Sequence, residues 1–201
     1  MTSKINIVLL CAGKSSRLKF NLPKVILPIN GKTLLQRSLH SLGKLSPSKT
    51  IIVAGFKKEL VINLSKTLNY KNLNFVVQKE QLGTGDAVKK AASSLDNKSI
   101  ALIMNGDTPF VDEGTINQAL SQYRKTKSVF TIATTKPSSP FGYGRILRDN
   151  DGQILDIVEE KDCDDKQKLI KEVNAGLYLI ATDYLKTVSY THLTLPTKRI
   201  V

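Results

Sequence analysis

No tryptophan occurs in the 201 residues, only two cysteines do, and no acidic residue appears before Glu59. Each shortage narrows the chemistry. Cys11 and Cys163 make no disulfide framework and fit no zinc spacing, so both are expected as reduced thiols. No apolar run approaches the roughly 18 residues of a membrane span. The N-terminal "MTSKINIVLL" has too short an apolar stretch, with no small-residue cleavage site, for a secretory signal. A cytoplasmic protein without membrane partners is expected. Internal repeats and low-complexity tracts are missing too, and a hydrophobic share of 41% suits the core of one substantial α/β domain.

The early lack of acids makes the charge uneven. Residues 1–58 carry eleven Lys or Arg against no carboxylate, residues 59–187 carry seventeen of each sign, and Lys198 and Arg199 complete the net charge of +13. Positive potential is therefore concentrated near the first loop, which suits a polyphosphate at least as well as a nucleic-acid backbone; a solvated basic face is the bland alternative. No nucleic-acid motif and no aromatic-interleaved basic stretch is present, so nucleic acid is not the expected partner.

Short apolar runs at Ile5 to Leu10, Thr50 to Val53, Asn74 to Val77 and Ile100 to Met104 read as buried strands. Between them lie helical faces: Leu34, Leu35, Leu39 and Leu42; then Leu60, Val61, Leu64 and Leu68; then Ala87, Val88, Ala91, Ala92 and Leu95. Strand and helix alternate, which predicts βαβ units and a Rossmann-like, mainly parallel α/β sheet flanked by helices. Asp112 caps a further helix to about Lys125, and Ser128 to Thr134 reads as a strand. From Pro137 the texture becomes Pro, Ser and Gly-rich, with short strands at Arg145 to Leu147 and Ile154 to Val158 around "DNDGQ", as in a small β-rich lobe laid over the sheet. Val173 to Ile180 is one more strand. The expected domain is 1–187. A helix starting near Thr182 reads as cut off after Thr187, and the aperiodic 188–201, "VSYTHLTLPTKRIV", reads as a foreign or disordered tail such as an expression scar, with a native C-terminal strand and loop as the alternative.

In "LLCAGKSSRLKFNLPK" a strand feeds a Gly-containing loop whose amides can point inward, with Lys14 and Arg17 able to lie along phosphates. Pro23 fixes the return of the chain, which makes Lys24 a positioned charge rather than a waving one. Ligands bind parallel sheets at the carboxyl ends of their strands, and this loop leaves one such end.

The order of strand, A-G-x-x-x-R and P-K resembles the signature of the sugar-phosphate nucleotidyltransferases. "VVQKEQLGTGDAV", "MNGDTPFV", "FGYGRI", "IVEEKD" and "EVNAGLYLI" follow in the order and approximate spacing of one branch. That branch is the uridylyltransferase domain of the bacterial bifunctional N-acetylglucosamine-1-phosphate uridyltransferase/glucosamine-1-phosphate acetyltransferases. The resemblance covers residues 5 to 187. It implies a nucleotide-diphospho-sugar transferase fold and a cytoplasmic enzyme making a cell-wall precursor from UTP and N-acetylglucosamine-1-phosphate, with Mg²⁺ as cofactor; a homo-oligomer is compatible with it.

By the same resemblance, Leu10, Ala12, Gly13 and Lys14 contact the nucleotide, Arg17 the triphosphate, and Lys24 the phosphate at the reacting centre. Gln78 faces the base, with Gly83 and Thr84 beside it; an amide offers both the donor and the acceptor that uracil needs. Asp107 holds Mg²⁺ against the phosphates, and one or two carboxylates plus substrate oxygens suffice for that ion. Gly142, Gly144, Glu159 and Asn174 line the sugar pocket. Arg17, Lys24 and Asp107 carry the catalysis, which is alignment and charge neutralisation rather than proton transfer. Neither His40 nor His192 matches a site position, and Cys11 stands where a small residue is usual and reads as packing. The family's domain continues beyond this chain to an Asn that supplies a second metal ligand, and then to an acetyltransferase β-helix. A truncated domain with no acetyltransferase activity and an incomplete metal site is therefore expected. A nucleotidyltransferase for another base or sugar, and a non-catalytic nucleotide-sugar-binding module, remain the alternatives.

Overall fold

The computed structural model of the protein describes residues 4–14 and 21–191. Four strands form its parallel centre: β1 (Ile5–Cys11), β4 (Lys49–Ala54), β5 (Leu73–Val77) and β6 (Ile100–Asn105). They lie in the order β5-β4-β1-β6, with Leu10 of β1 opposite both Val53 of β4 and Asn105 of β6. Alternation along β1 decides the layers. Ile7, Leu9 and Cys11 point into one core, where they meet α1 (Leu34–Gly43), α2 (Lys58–Thr67) and α4 (Glu113–Thr126); Val8 points into the other, against α3 (Thr84–Ala92). The result is helices on both faces of a sheet whose central strands are buried on both sides.

The antiparallel half is built around β10 (Val173–Ala181), which runs against β6 along one edge and against β7 (Phe130–Thr135) along the other. Val173 at its start pairs with Arg145 of β8 (Arg145–Arg148), and β8 in turn pairs with β9 (Ile154–Val158). The short strands expected as a lobe over the sheet are therefore its continuation, in one eight-stranded sheet. A second, two-stranded sheet that the sequence reading did not anticipate, β2 (Pro28–Ile29) with β3 (Lys32–Thr33), turns through Asn30 and Gly31, both at positive φ. Asn-Gly is the pair that such a tight hairpin turn favours.

Local signals explain the helix starts. Thr33 and Gln36 close a capping box on α1, and Asp112 accepts from the Thr115 amide at 2.7 Å to cap α4. On α2 the buried stripe is Val61 and Ser65, flanked by Leu64 and Leu68, while Leu60 is 41% exposed. Of the expected face Val61, Leu64 and Leu68 hold, while Ser65 takes the place of Leu60, because Val61, Leu64, Ser65 and Leu68 complete the i, i+3, i+4, i+7 set and Leu60 lies off it. The last helix, α6 (Thr182–Thr191), also departs from expectation by running past Thr187. Leu185 and Val188, three apart, share a face packed on the α3 side of the sheet, which carries the helix onward. Residues 192–201 of the expected tail, His192 among them, lie outside the described residues.

Candidate active site

The carboxyl ends of β1, β4 and β6 meet at one edge, and glycines permit the approach. A side chain on Gly55, just after β4, would place its Cβ 2.8 Å from both the Cβ and the carbonyl oxygen of Ala12, and the Phe56 amide donates to that carbonyl at 3.1 Å. A Cβ on Gly106, just after β6, would lie 2.4 Å from Cys11 Sγ; the Gly106 amide donates to Leu10 O at 2.9 Å, and Ser38 of α1 donates to Gly106 O at 3.3 Å. Ala12 is thereby buried, with Gly13 and Lys14 exposed beyond it. Arg17 lies outside the described residues.

Lys24 opens a single 3-10 turn, Lys24–Ile26, whose Val25 is buried in the core; the Leu27 amide donates back to Lys24 O at 3.0 Å. Asp107 leaves β6 two residues after Asn105. These two points of the chain, 83 residues apart, meet where Lys24 Nζ donates to Asp107 Oδ2 at 2.9 Å, with side chains 40% and 34% exposed. The pair is anchored from behind and open in front. Among the described residues no group of three or more His, Cys, Asp and Glu could hold a metal. A cation at Asp107 would need substrate oxygens as its other ligands, a donor set that Mg²⁺ accepts. The Cys11 thiol behind them is pushed far up, first by burial and then by the charge of Asp107, which bars it from service as a thiolate.

Gln78 lies beside Gly83, as the expected grouping has it. Its side chain is 3% exposed, and its Nε2 donates to Gly83 O at 3.1 Å and to Asp86 Oδ2 at 2.8 Å, while its backbone amide donates to Ala54 O at 2.8 Å. The amide donor is thus turned to the protein, bracing the turn in which Gly83 sits at φ +101° ahead of α3, with Thr84 exposed as its first residue. A cavity of about 380 Å³ opens beside it, lined by Gly55, Lys57, Lys58, Glu59, Val77, Gln78 and Lys79.

On the far side of Asp107, three of the expected sugar-side residues converge. The Asn174 amide donates to Gly144 O at 2.9 Å, and a Cβ on Gly144 would lie 3.4 Å from Glu159 Oε1. Gly142 (φ +84°) is held by Glu160, whose Oε2 accepts from its amide at 3.0 Å. Asn174 Nδ2 donates to Tyr178 Oη at 2.6 Å, and Asn174 Oδ1 accepts from the Gly176 amide at 2.8 Å. That bond spans a bulge in β10, with Gly176 at φ +72°. Two residues of this corner escaped the sequence reading. Tyr178 has its hydroxyl pKa pushed up by burial, with Glu159 adding a smaller push, and Asn105 places its Nδ2 2.7 Å from where a Gly176 side chain would begin. Asn105 thereby ties the Asp107 segment to the β10 bulge; its place directly before Gly-Asp was the available signal.

Comparison with known proteins identifies the family. The family model described as the MobA-like NTP transferase domain matches residues 7–168. A "Probable UDP-N-acetylglucosamine pyrophosphorylase" of Acanthamoeba polyphaga mimivirus is 39% identical over 188 residues, 92% of this chain and 74% of that protein. "Bifunctional protein GlmU" of Dechloromonas aromatica is 42% identical over 89% of this chain, and that of Streptococcus mutans 40% identical over 86%. The chain spans 38% and 37% of the length of these two bifunctional relatives. The fold is that of HddC from Yersinia pseudotuberculosis (TM-score 0.75, 24% identity, 96% of this chain and 85% of that one). It is equally that of a UDP-glucose pyrophosphorylase solved with UDP-glucose (TM-score 0.73, 19% identity, 95% and 80%). With the loop after β1, the Lys24–Asp107 pair and the family match in agreement, this chain belongs to the MobA-like NTP transferase family.

Proposed function

We propose that this nucleotidyltransferase domain joins UTP to N-acetylglucosamine-1-phosphate, forming UDP-N-acetylglucosamine and pyrophosphate. The observation that carries the reading is the Lys24–Asp107 pair at the carboxyl edge of the sheet, the edge at which the Ala12–Gly13 loop leaves β1 and β10 begins. The name of the mimivirus relative, a UDP-N-acetylglucosamine pyrophosphorylase that aligns over 92% of the chain, supports the choice of base and sugar. A cytoplasmic setting, where UTP is available, belongs to the same proposal.

In this reading an oxygen of the sugar phosphate attacks the α-phosphorus, the bond from that phosphorus to the bridging oxygen of the β-phosphate breaks, and pyrophosphate departs with the electron pair. No proton has to move, so the site needs no general base. The chain's part is to align two polyanions and offset their repulsion. Backbone amides after β1 cradle the triphosphate, and Arg17 and Lys14 extend along it. Lys24 exchanges its carboxylate partner for a phosphate oxygen at the reacting centre. Glu159 and Asn174 take the sugar hydroxyls and the N-acetyl group, and Gly142 and Gly144 let the chain pass close to the ring. Asp107 would hold Mg²⁺, which when bound neutralises phosphate charge and fixes the oxygens' geometry.

Pyrophosphate release from UTP, N-acetylglucosamine-1-phosphate and MgCl₂ tests this, alongside calorimetric titration of UDP-N-acetylglucosamine. Release should fall by about 10²-fold or more in Asp107→Ala and should stop when the divalent ion is chelated. A folded wild-type chain that neither releases pyrophosphate nor binds the product would refute the reading, and release with CTP or dTTP alone would reassign the base.

A further inference from the structure

Arg145 is a cation with only 2% of its side chain exposed, so it cannot reach a ligand in the cleft. Its surroundings give it another task. Along the ladders its backbone is opposite Val158 of β9 and Val173 of β10. The residue after Val158 is Glu159, the residue after Val173 is Asn174, and the residue before Arg145 is Gly144. Three segments that each bring one sugar-side residue therefore meet at this position.

The side chain binds the same segments together. Its Nη2 lies 2.7 Å from Glu160 Oε2, the same oxygen that accepts from the Gly142 amide at 3.0 Å, and its Nη1 donates to Tyr143 O. Two separate stretches, 142–145 and 159–160, are thereby closed on one carboxylate oxygen. Glu160 is held in its charged form, first by the Gly142 amide and then by Arg145. Arg145 Nε is buried without a partner, so the guanidinium is held through Nη1 to Tyr143 O and Nη2 to Glu160, its charged partner. A lysine could not replace it: a single ammonium lacks the planar fork that reaches Glu160 and Tyr143 O together.

We propose that Arg145, through its ion pair with Glu160, is a positioning residue for the sugar phosphate. It sets the spacing of Gly142, Gly144, Glu159 and Asn174 without touching the ligand, and the nucleotide side of the cleft is independent of it. This rests on the uridylyl-transfer reading above, which fixes what the corner is for.

The test compares wild type with Arg145→Lys, Arg145→Met and the milder Glu160→Gln, each first checked for an intact thermal transition. Hydrogen–deuterium exchange should rise in peptides covering 140–147 and 157–163 and stay unchanged in β1 and β4. Kinetically, Arg145→Met should raise KM for N-acetylglucosamine-1-phosphate by about tenfold or more with KM for UTP within about twofold. Glu160→Gln, which keeps an acceptor for both donors, should fall between it and wild type. Unchanged exchange at those peptides, or equal effects on both substrates, would overturn the proposal. Wild-type protein that neither turns over nor binds UDP-N-acetylglucosamine would instead refute the uridylyl-transfer reading, while the exchange comparison would still decide whether the ion pair closes the corner.

Discussion

Replacing Gly106 by alanine asks whether the site floor is as tightly built as its geometry implies. The new methyl would begin 2.4 Å from Cys11 Sγ, 3.1 Å from Val25 Cγ1 and 3.2 Å from Leu10 O. Carbon atoms in good contact sit about 3.5–4.0 Å apart, so the sulfur lies roughly 1 Å inside the allowed distance. Crowding of this kind in a packed core costs about 1–3 kcal/mol. For a domain of this size 2 kcal/mol corresponds to a fall in Tm of about 4–8 °C. The cause can be isolated, because Cys11→Ala removes the offending atom, at about 1 kcal/mol for the lost packing. In Cys11→Ala/Gly106→Ala the new methyl occupies the space of the old sulfur, and a favourable coupling of about 1–2 kcal/mol is expected from urea melts of all four proteins. Activity should follow the same cycle, since a displaced Gly106 carries Asp107 away from Lys24 at 2.9 Å. A Gly106→Ala midpoint equal to wild type, or a double variant whose loss is the plain sum of the singles within about 0.5 kcal/mol, would refute the reasoning.

Two further outcomes follow from the charges and thiols. Cys11 and Cys163 are 2% and 7% exposed, and burial is the first cause pushing each thiol up, so neither should react with a disulfide reagent at pH 8 until urea unfolds the chain; stoichiometric labelling of native protein within minutes would contradict this. Glu172 is gripped by Arg148 through Nε at 2.9 Å and Nη2 at 2.6 Å, which brings its carboxyl down to about 2. The folded state then binds fewer protons there than the unfolded chain, so this contribution is complete above about pH 5 and is lost as pH falls toward 2. The urea midpoint of Glu172→Gln should decline less steeply than that of wild type across this window, and parallel declines would exclude the contact as a source of acid sensitivity.

The parallel centre was legible because its signals are local. Four Val and Ile-rich runs joined by segments of helical period leave few topologies, and Pro23 and Asp112 mark their turns without tertiary context. The Lys24–Asp107 meeting was legible only through the motif order, since nothing near either residue names the other. The protein partners of Gln78 were not legible for a related reason. An amide at a strand end can face a ligand or its own protein, and Asp86, eight residues on, accepts a hydrogen bond from its Nε2. Nothing in "IVEEKD" shows that Glu160 pairs with a buried arginine of β8. Burial of a cation is a fact of packing, which the sequence pattern "GYGRI" does not display.

The direction of β10 joins the two halves of the site. Leu177 lies opposite Met104 near the end of β6 and Ala181 opposite Ile100 at its start, so β10 begins at the edge where β6 finishes. Asn174 and the bulge at Gly176 therefore fall beside Asn105 and, two residues on, Asp107. Were β10 parallel to β6, that edge would instead hold its last residue, Ala181. Asn174 would then lie seven residues back along the strand, about 23 Å away at the rise of an extended chain. A sugar held by Asn174 could not then share a phosphate with Lys24. The antiparallel course of β10 against β6 thus brings the Asn174 corner to the edge that also carries the loop after β1, as the proposed transfer requires.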